Sequence, residues 1–276
     1  MDDGEHRRTR SGAVIPALQI TQGALGFGGR TLWRDLDLTV APGEFLAVLG
    51  SNGSGKTSLL RAILGLQPLD TGTIQIDGMP ARRGNRAVGY IPQQKLVQPG
   101  TPLRGRDLVT LGVNGHRFGV PITSRAEKAQ VTALLESVGA TAYADRPIGT
   151  LSGGEQQRLR VAQAIAADPV LLLCDEPLAS LDLNRQAEVA GLIDKRRREH
   201  DTAVVFVTHD INPVLGLVDR ILYLAEGHFT VGTPDEVLRS EVLTALYGTP
   251  VEVLRSGGRI FVAGAPDHAH HQGETL

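Results

Sequence analysis

Apolar and polar residues alternate along the first part of the chain, and then the period changes. LQITQGALGF (18–27) and DLDLTVAPGE (35–44) place apolar side chains at alternate positions, the repeat of a half-buried strand, and Pro42-Gly43 marks a turn. EFLAVLG (44–50) is a short unbroken apolar run, which predicts a buried strand. SLLRAILGL (58–66) switches to helical spacing and stops near Gly65 and Pro68. TGTIQIDG (71–78) returns to a strand, with a turn at Asp77-Gly78.

The middle of the chain has a helical period. TPLRGRDLVTLG (101–112) and SRAEKAQVTALLESVGA (124–140) both show it, and Ser124 with Glu127 forms a capping box. PVLLLCDEP (169–177) resumes the apolar strand pattern. A helix around 183–199, the strand AVVFV (203–207) and a further helix from about 210 are predicted next. ILYLAEGHFTVG (221–232) reads as a hairpin turning at Glu226-Gly227, and DEVLRSEVLTALYG (235–248) as helical. VEVLRSGGRIFVAG (251–264) reads as a second hairpin turning around Ser256-Gly257-Gly258. Buried strands alternating with helices predict an α/β class with a mainly parallel sheet. The helical stretch from about 95 to 165 is an insertion beside it.

Composition narrows the setting. A chain of 276 residues permits one large domain or two small ones. A formal net charge of −2 gives no general attraction to nucleic acid or anionic lipid, and no nucleic-acid partner is expected. Arg196, Arg197 and Arg198 fall on a predicted exposed helix, where a solvated face is expected rather than a nucleic-acid patch. Cys174 is the only cysteine, which excludes an internal disulfide and fits a reducing cytoplasm. Within its apolar strand it reads as a small core residue, not a nucleophile. No apolar run approaches the roughly 20 residues that span a bilayer. The N-terminal MDDGEHRRTRSG lacks the apolar stretch of a secretory signal. A soluble protein is expected, with residues 1–15 disordered and any membrane role supplied by a separate chain.

Chemistry concentrates in a few stretches. Gly50-Ser51-Asn52-Gly53-Ser54-Gly55-Lys56-Thr57 matches G-x-x-x-x-G-K-[ST] between a predicted strand and a predicted helix. Glycines there let the backbone curl so that its N–H groups face phosphate oxygens, Lys56 reaches the β- and γ-phosphates, and Thr57 places its hydroxyl on Mg²⁺. Ser58 follows in the same turn and joins the ATP-binding candidates. A plain glycine turn is the alternative, disfavoured by the flanking elements and the full match. In VLLLCDE (170–176), Asp175 ends the strand as a candidate Mg²⁺ holder, and Glu176 follows as a candidate general base. In LSGGEQQR (151–158), Ser152 and Glu155 form a capping box, so a helix starts there. Two glycines and a serine at that positive helix end expose backbone N–H groups suited to a phosphate.

These stretches, with YIPQQ (90–94), ASLD (179–182), His209 after AVVFV, and Phe27 in GFGGR, together resemble the ATP-binding-cassette (ABC) ATPases over about residues 17–250. LSGGEQQR is similar to that family's signature sequence without substitution. The resemblance implies a P-loop NTPase core with an antiparallel β subdomain and a helical subdomain at about 95–165. The implied ATPase domain spans residues 16–250, and a C-terminal hairpin and histidine-containing tail follow at 251–276. It implies that His209 is the switch histidine at the γ-phosphate, that Asp182 sits in the loop crossing to the opposing subunit, and that Gln93 links Mg²⁺ to the helical subdomain, with Gln94 the neighbouring register. Phe27 falls where the family stacks an aromatic ring on adenine, and packing in the core is the alternative. Ser51 stands where the family often has proline, a tolerant position.

By the same resemblance, ATP and Mg²⁺ are the ligands and the working unit is a head-to-tail homodimer. Ser152, Gly153, Gly154 and Glu155 of one subunit then face the ATP bound to the other. Its partners are an integral membrane permease subunit and, indirectly, a substrate-binding protein. The location is cytoplasmic, peripheral on the inner face of the plasma membrane. The stretch from TPLRGRDLVTLG to LYGTPVEVL looks most like the ATPases of manganese, zinc and iron or iron-chelate importers, so manganese or zinc import is expected, with iron-siderophore import the alternative. Asp267, His268, His270 and His271 are candidate transition-metal ligands, against a polar tail whose histidines do nothing. A soluble non-transport ABC ATPase is disfavoured by the lack of heptads and of a second phosphate loop.

Overall fold

The computed structural model describes residues 14–93, 100–115 and 124–264. Residues 1–13, Gln94 and the tail carrying Asp267, His268, His270 and His271 lie outside them. At the centre is β3 (Phe45–Gly50), covered on both faces. Phe45, Ala47 and Leu49 pack into one apolar cluster, and Leu46 and Val48 into another on the opposite side. A strand buried on both faces has no polar side to alternate with, which is why EFLAVLG reads as an unbroken run.

Around β3 a six-stranded sheet has the order β10-β9-β3-β8-β7-β6. Its members are β6 (Val88–Ile91), β7 (Leu171–Asp175), β8 (Ala203–Val207), β9 (Arg220–Ala225) and β10 (His228–Gly232). All pairings are parallel except β9 with β10. A four-stranded antiparallel sheet, in the order β2-β1-β4-β5, covers one face together with α1 (Lys56–Ile63). It comprises β1 (Leu18–Phe27), β2 (Arg30–Val40), β4 (Thr71–Ile76) and β5 (Met79–Pro80). The other face carries α2 (Gly105–Asn114), α3 (Arg125–Ser137), α4 (Gly153–Ile165) and α5 (Leu183–His200). The fold is therefore mixed α/β. Lastly α6 (Pro234–Val237), α7 (Ser240–Tyr247) and the hairpin of β11 (Glu252–Ser256) and β12 (Arg259–Ala263) close the described chain. That hairpin turns through Gly257 and Gly258, both at positive φ (56° and 75°), as a tight two-residue turn requires.

Four expectations change. The helix predicted from about 210 does not form: only a short 3-10 turn appears at Leu215–Leu217. Pro213 biases Asn212 away from helix, and the Asp210 carboxylate accepts the Asn212 N–H (2.9 Å), offering the backbone a turn instead. The helix predicted over 235–248 is two helices. The break at Leu238–Arg239 lets Leu238 and Leu243 both reach the core, and leaves the Ser240 hydroxyl to accept the Val253 N–H at 2.9 Å. β6 was not predicted; four residues before a proline give too little pattern.

The arginine triplet is not a solvated face. Arg196 is 9% exposed, while the Arg197 and Arg198 side chains are 13% and 65% exposed. Arg197 donates to Asp194 (2.9 Å), to the Gly43 carbonyl (3.0 Å) and to Asp219 (2.9 Å), and Asp219 in turn accepts the Phe45 N–H at 2.8 Å. One side chain thus fastens α5 to the start of β3. Arg197→Ala is expected to cost about 2–3 kcal/mol, because the Gly43 carbonyl and Asp219 lose a charged donor. Urea titration will read this, with nucleotide affinity unchanged.

Candidate functional site

Four adjacent parallel strands end at one level. Val48 of β3, Val207 of β8 and Asp175 of β7 stand side by side, and Cys174 pairs with Ile91 of β6. Gly50, His209, Glu176 and Gln93 therefore all fall within two residues past this line. Carboxyl ends of parallel strands are where open α/β sheets bind ligands.

Gly50 (φ 144°) turns β3 into the loop, where a Cβ would lie 2.1 Å from the Leu224 carbonyl oxygen of β9. Only glycine fits between the strands. Asn52 and Gly53 are exposed at the loop tip, and Ser51 and Ser58 are half-buried. Gly55 caps α1 in the left-handed conformation without a side-chain bond, so no side chain occupies the donors of that helix end. Buried in the loop, the Ser54 hydroxyl has no hydrogen-bond partner. Lys56 folds back to donate from Nζ to the carbonyls of Gly50 (2.7 Å) and Ser51 (2.8 Å). Burial lowers its pKa, against the opposing pull of Glu176 and Asp175. An unpartnered hydroxyl, an uncapped helix end and a buried ammonium together suit a phosphate. Thr57 is exposed on the first turn of α1.

Asp175 is 5% exposed. Burial, and then the neighbouring Glu176 charge, raise its carboxyl above the ordinary range. Tyr90 of β6 donates its hydroxyl to Asp175 Oδ2 at 3.4 Å, and burial together with that carboxylate pushes the phenol up to about 12. Tyr90 was not singled out in the sequence; its place next to a Pro-Gln step after a short apolar segment is the signal that could have found it. Glu176 sits at φ 46°, outside the strand geometry of β7. Gln93 donates from Nε2 to Glu176 Oε2 (3.0 Å), and His209 Nδ1 lies 3.7 Å from the same oxygen. Gln93, Glu176 and His209, far apart in sequence, thus share one carboxylate. Asp, Thr and Gln oxygens are hard donors of the kind Mg²⁺ takes; Asp175 and Gln93 stand at this strand end, and Thr57 follows Lys56 on α1.

The signature segment builds a second place. Ser152 caps α4: its Oγ accepts the Glu155 N–H (3.4 Å), and Glu155 Oε2 accepts the Ser152 N–H (2.7 Å) and hydroxyl (2.8 Å). Although burial opposes it, those bonds from Ser152 hold the Glu155 carboxyl below its ordinary value. A cavity of about 770 Å³ opens here, lined by Ser152, Gly154, Glu155, Asp182, Arg158 and Arg185 among others. Gly153 and Gly154 form the first turn of α4, and a Cβ on Gly154 would meet Arg185 Cδ at 2.9 Å. Asp182 caps α5 by accepting the Arg185 N–H at 3.0 Å. No residue of 50–58 lines this cavity. Phe27 is 74% exposed at the end of β1, which removes the alternative of core packing. Cys174 is fully buried and its thiol is pushed up by burial, as a core residue. Among the described residues no group of three or more His, Cys, Asp or Glu is arranged to hold a metal, and no helix is long and apolar enough to cross a membrane.

Comparison with known proteins gives the same direction. A family model described as ABC transporter matches residues 33–179. An aliphatic sulfonates import ATP-binding protein of Pseudomonas fluorescens is 39% identical, over 80% of this chain and 77% of that protein. A zinc import ATP-binding protein of the same species is 32% identical, over 83% of this chain and 82% of that protein. Among solved structures, an inward-facing, putative metal-chelate type ABC transporter covers 90% of this chain and 96% of its own, at TM-score 0.76 and 28% identity.

The raised Asp175 carboxyl has a sign that stability measurements can read. Its folded-state pKa lies above the unfolded value, so the folded state binds the proton more tightly and stability falls as pH rises through that window. Asp175→Asn is therefore expected to raise the melting temperature of nucleotide-free protein at neutral pH. The gain should shrink as pH approaches the ordinary carboxylate range, in thermal melts run at neutral and at mildly acidic pH.

Proposed function

This chain belongs to the ABC transporter family as the ATP-binding subunit of an importer, and on that premise we propose that it powers uptake of a transition metal, manganese or zinc. ATP hydrolysis coupled to transport is the activity of the family, and importer subunits of this kind work with membrane permease components. The observation that carries the catalytic reading is the meeting of Lys56, Asp175, Glu176, Gln93 and His209 at the ends of four neighbouring strands.

In this reading the loop 50–58 wraps the phosphates. Lys56 leaves its two carbonyl partners for the β- and γ-phosphates, and Phe27 offers its exposed face to the adenine. Thr57, Asp175 and Gln93 would hold Mg²⁺, which would supply neutralisation of the phosphate charge. Glu176 takes the proton of the attacking water. Gln93 fixes one of its oxygens, and His209 contacts the γ-phosphate. A Ser152 cavity that no residue of 50–58 lines supports a head-to-tail homodimer, in which Ser152, Gly153, Gly154 and Glu155 of one copy close over the nucleotide of the other, with Asp182 at the crossing. Closure excludes water and completes each site. The helical subdomain passes this motion to an integral membrane permease at the inner face of the plasma membrane, fed by a substrate-binding protein.

Two similarities support the metal: the zinc import relative and the metal-chelate type transporter structure. Iron-siderophore import is the alternative, and aliphatic sulfonate import is a second reading favoured by the 39% identity of that relative. The test is ATPase activity of the chain reconstituted with its permease and binding protein in vesicles. Stimulation by manganese or zinc is expected; stimulation only by a ferric chelate or an alkyl sulfonate rejects the metal. For the chemistry, Glu176→Gln is expected to bind ATP normally and to lose hydrolysis by roughly 100-fold or more. Near-normal turnover in that variant removes Glu176 as the base.

A further inference from the structure

The turn that carries His209 is built from side chains. Thr208 donates its hydroxyl to the Asp210 carbonyl (2.7 Å) and accepts the Asp210 N–H (3.2 Å). Asp210 Oδ1 accepts both the Asn212 N–H (2.9 Å) and the Asn212 Nδ2 (2.8 Å). His209 itself is solvent-facing, with its side chain 65% exposed, so little packing fixes it and its position follows the backbone of residues 208–212. Its distance to Glu176 Oε2, 3.7 Å, is beyond a hydrogen bond, so a shift of a few tenths of an ångström changes what it contacts.

One amide ties this turn to a different part of the fold. Asn212 Nδ2 donates to the Ile260 carbonyl (2.9 Å), and the Ile260 N–H donates to Asn212 Oδ1 (2.8 Å). The carboxamide imitates a peptide unit and makes the two-bond pair that a neighbouring strand residue makes, using two donors and an acceptor in all. Ile260 belongs to β12, and β12 is itself anchored. Its side chain is 6% exposed, and its partner β11 is held by Val253 N–H to the Ser240 hydroxyl (2.9 Å) and by Arg255 to Asp235 (2.8 Å). Between hairpin and turn lies a cavity of about 330 Å³, lined by Gly50 and His209 on one side and Ile260 and Phe261 on the other. Ile211 and Val214, on either side of Asn212, are buried in the same apolar cluster as Ile260, so packing holds the segment against the core. Packing is non-directional, and the Asn212 amide adds the directional contact that sets the turn against the main chain of β12.

We propose that Asn212 is a positioning residue for hydrolysis. By hooking onto the main chain of β12 it holds the His209 turn at its working distance from Glu176, and the C-terminal hairpin thereby acts as a brace for the catalytic end of the sheet. The inference rests on reading His209 as the γ-phosphate contact, and its test separates the two.

The full-length chain is compared with Asn212→Ala, Asn212→Asp, His209→Ala and the Asn212→Ala/His209→Ala pair, by kcat and KM for ATP, fluorescent-nucleotide affinity and melting temperature. Asn212→Ala should lower kcat roughly tenfold and leave KM and nucleotide affinity within about twofold, because the turn matters to the reacting phosphate and not to the loop that grips the nucleotide. Asn212→Asp keeps the size but loses both donated bonds and sets a carboxylate beside Asp210, so it should fall as far. Added to His209→Ala, the Asn212→Ala change should cost nothing more, since its only route is through the histidine. If His209→Ala lowers kcat while Asn212→Ala does not, the brace is overturned. It is overturned too if losses add in the double variant, or if affinity and melting temperature fall together with kcat in both Asn212 variants, which marks a structural role alone. An unchanged kcat in His209→Ala overturns the assignment of the histidine instead.

Discussion

At Gly50 the carbonyl oxygen of Leu224 occupies the place where any other residue would carry its side chain. β3 is pinned there between β9 and β8, with apolar clusters on both faces, so its end cannot drift. This fixed exit sets the position of the phosphate loop and of Lys56. Because β8 and β7 follow in register, it also sets where His209 and Asp175 arrive. The apolar layering is non-directional, but the strand register converts it into positions defined to a fraction of a residue spacing. A loop on a less constrained strand would present the same sequence without the same geometry.

The sequence motifs disclosed the phosphate loop, Asp175–Glu176 and the start of α4 because each depends on near neighbours in the chain. The Ser152–Glu155 box closes over three residues, and the glycine loop is bounded by its own strand and helix. What the sequence did not disclose depends on distant partners. Arg197 looks like one of three solvated arginines until Gly43 and Asp219 come against it. Tyr90 has no visible task until β6 is laid beside β7 and brings its hydroxyl to Asp175. The stretch after His209 carries enough apolar residues to suggest a helix, yet Pro213 and the Asp210–Asn212 turn divert it, and its extension across the fold ends at β12. Propensity lost to tertiary pairing in that case. Tyr223 and Tyr247, whose hydroxyls lie 3.2 Å apart in the core, are a further pair that no local pattern announces.

The two halves of the candidate site differ in how they are held. Residues at the strand ends are set by a rigid sheet. The Ser152 end of α4 is set by a capping box on the helical side of the fold. Such a division suits an engine whose stroke is a change of distance between two stiff bodies, with little rearrangement inside either.

Glu176 carries a backbone angle, φ 46°, that glycine or asparagine would occupy at less cost. Directly before it stands a carboxylate that burial disfavours in its charged form. A lineage selected for thermal endurance alone would drift away from both residues. Acidic side chains here are therefore a local concession of stability, and a descendant that had lost its permease would be expected to erode first at this pair.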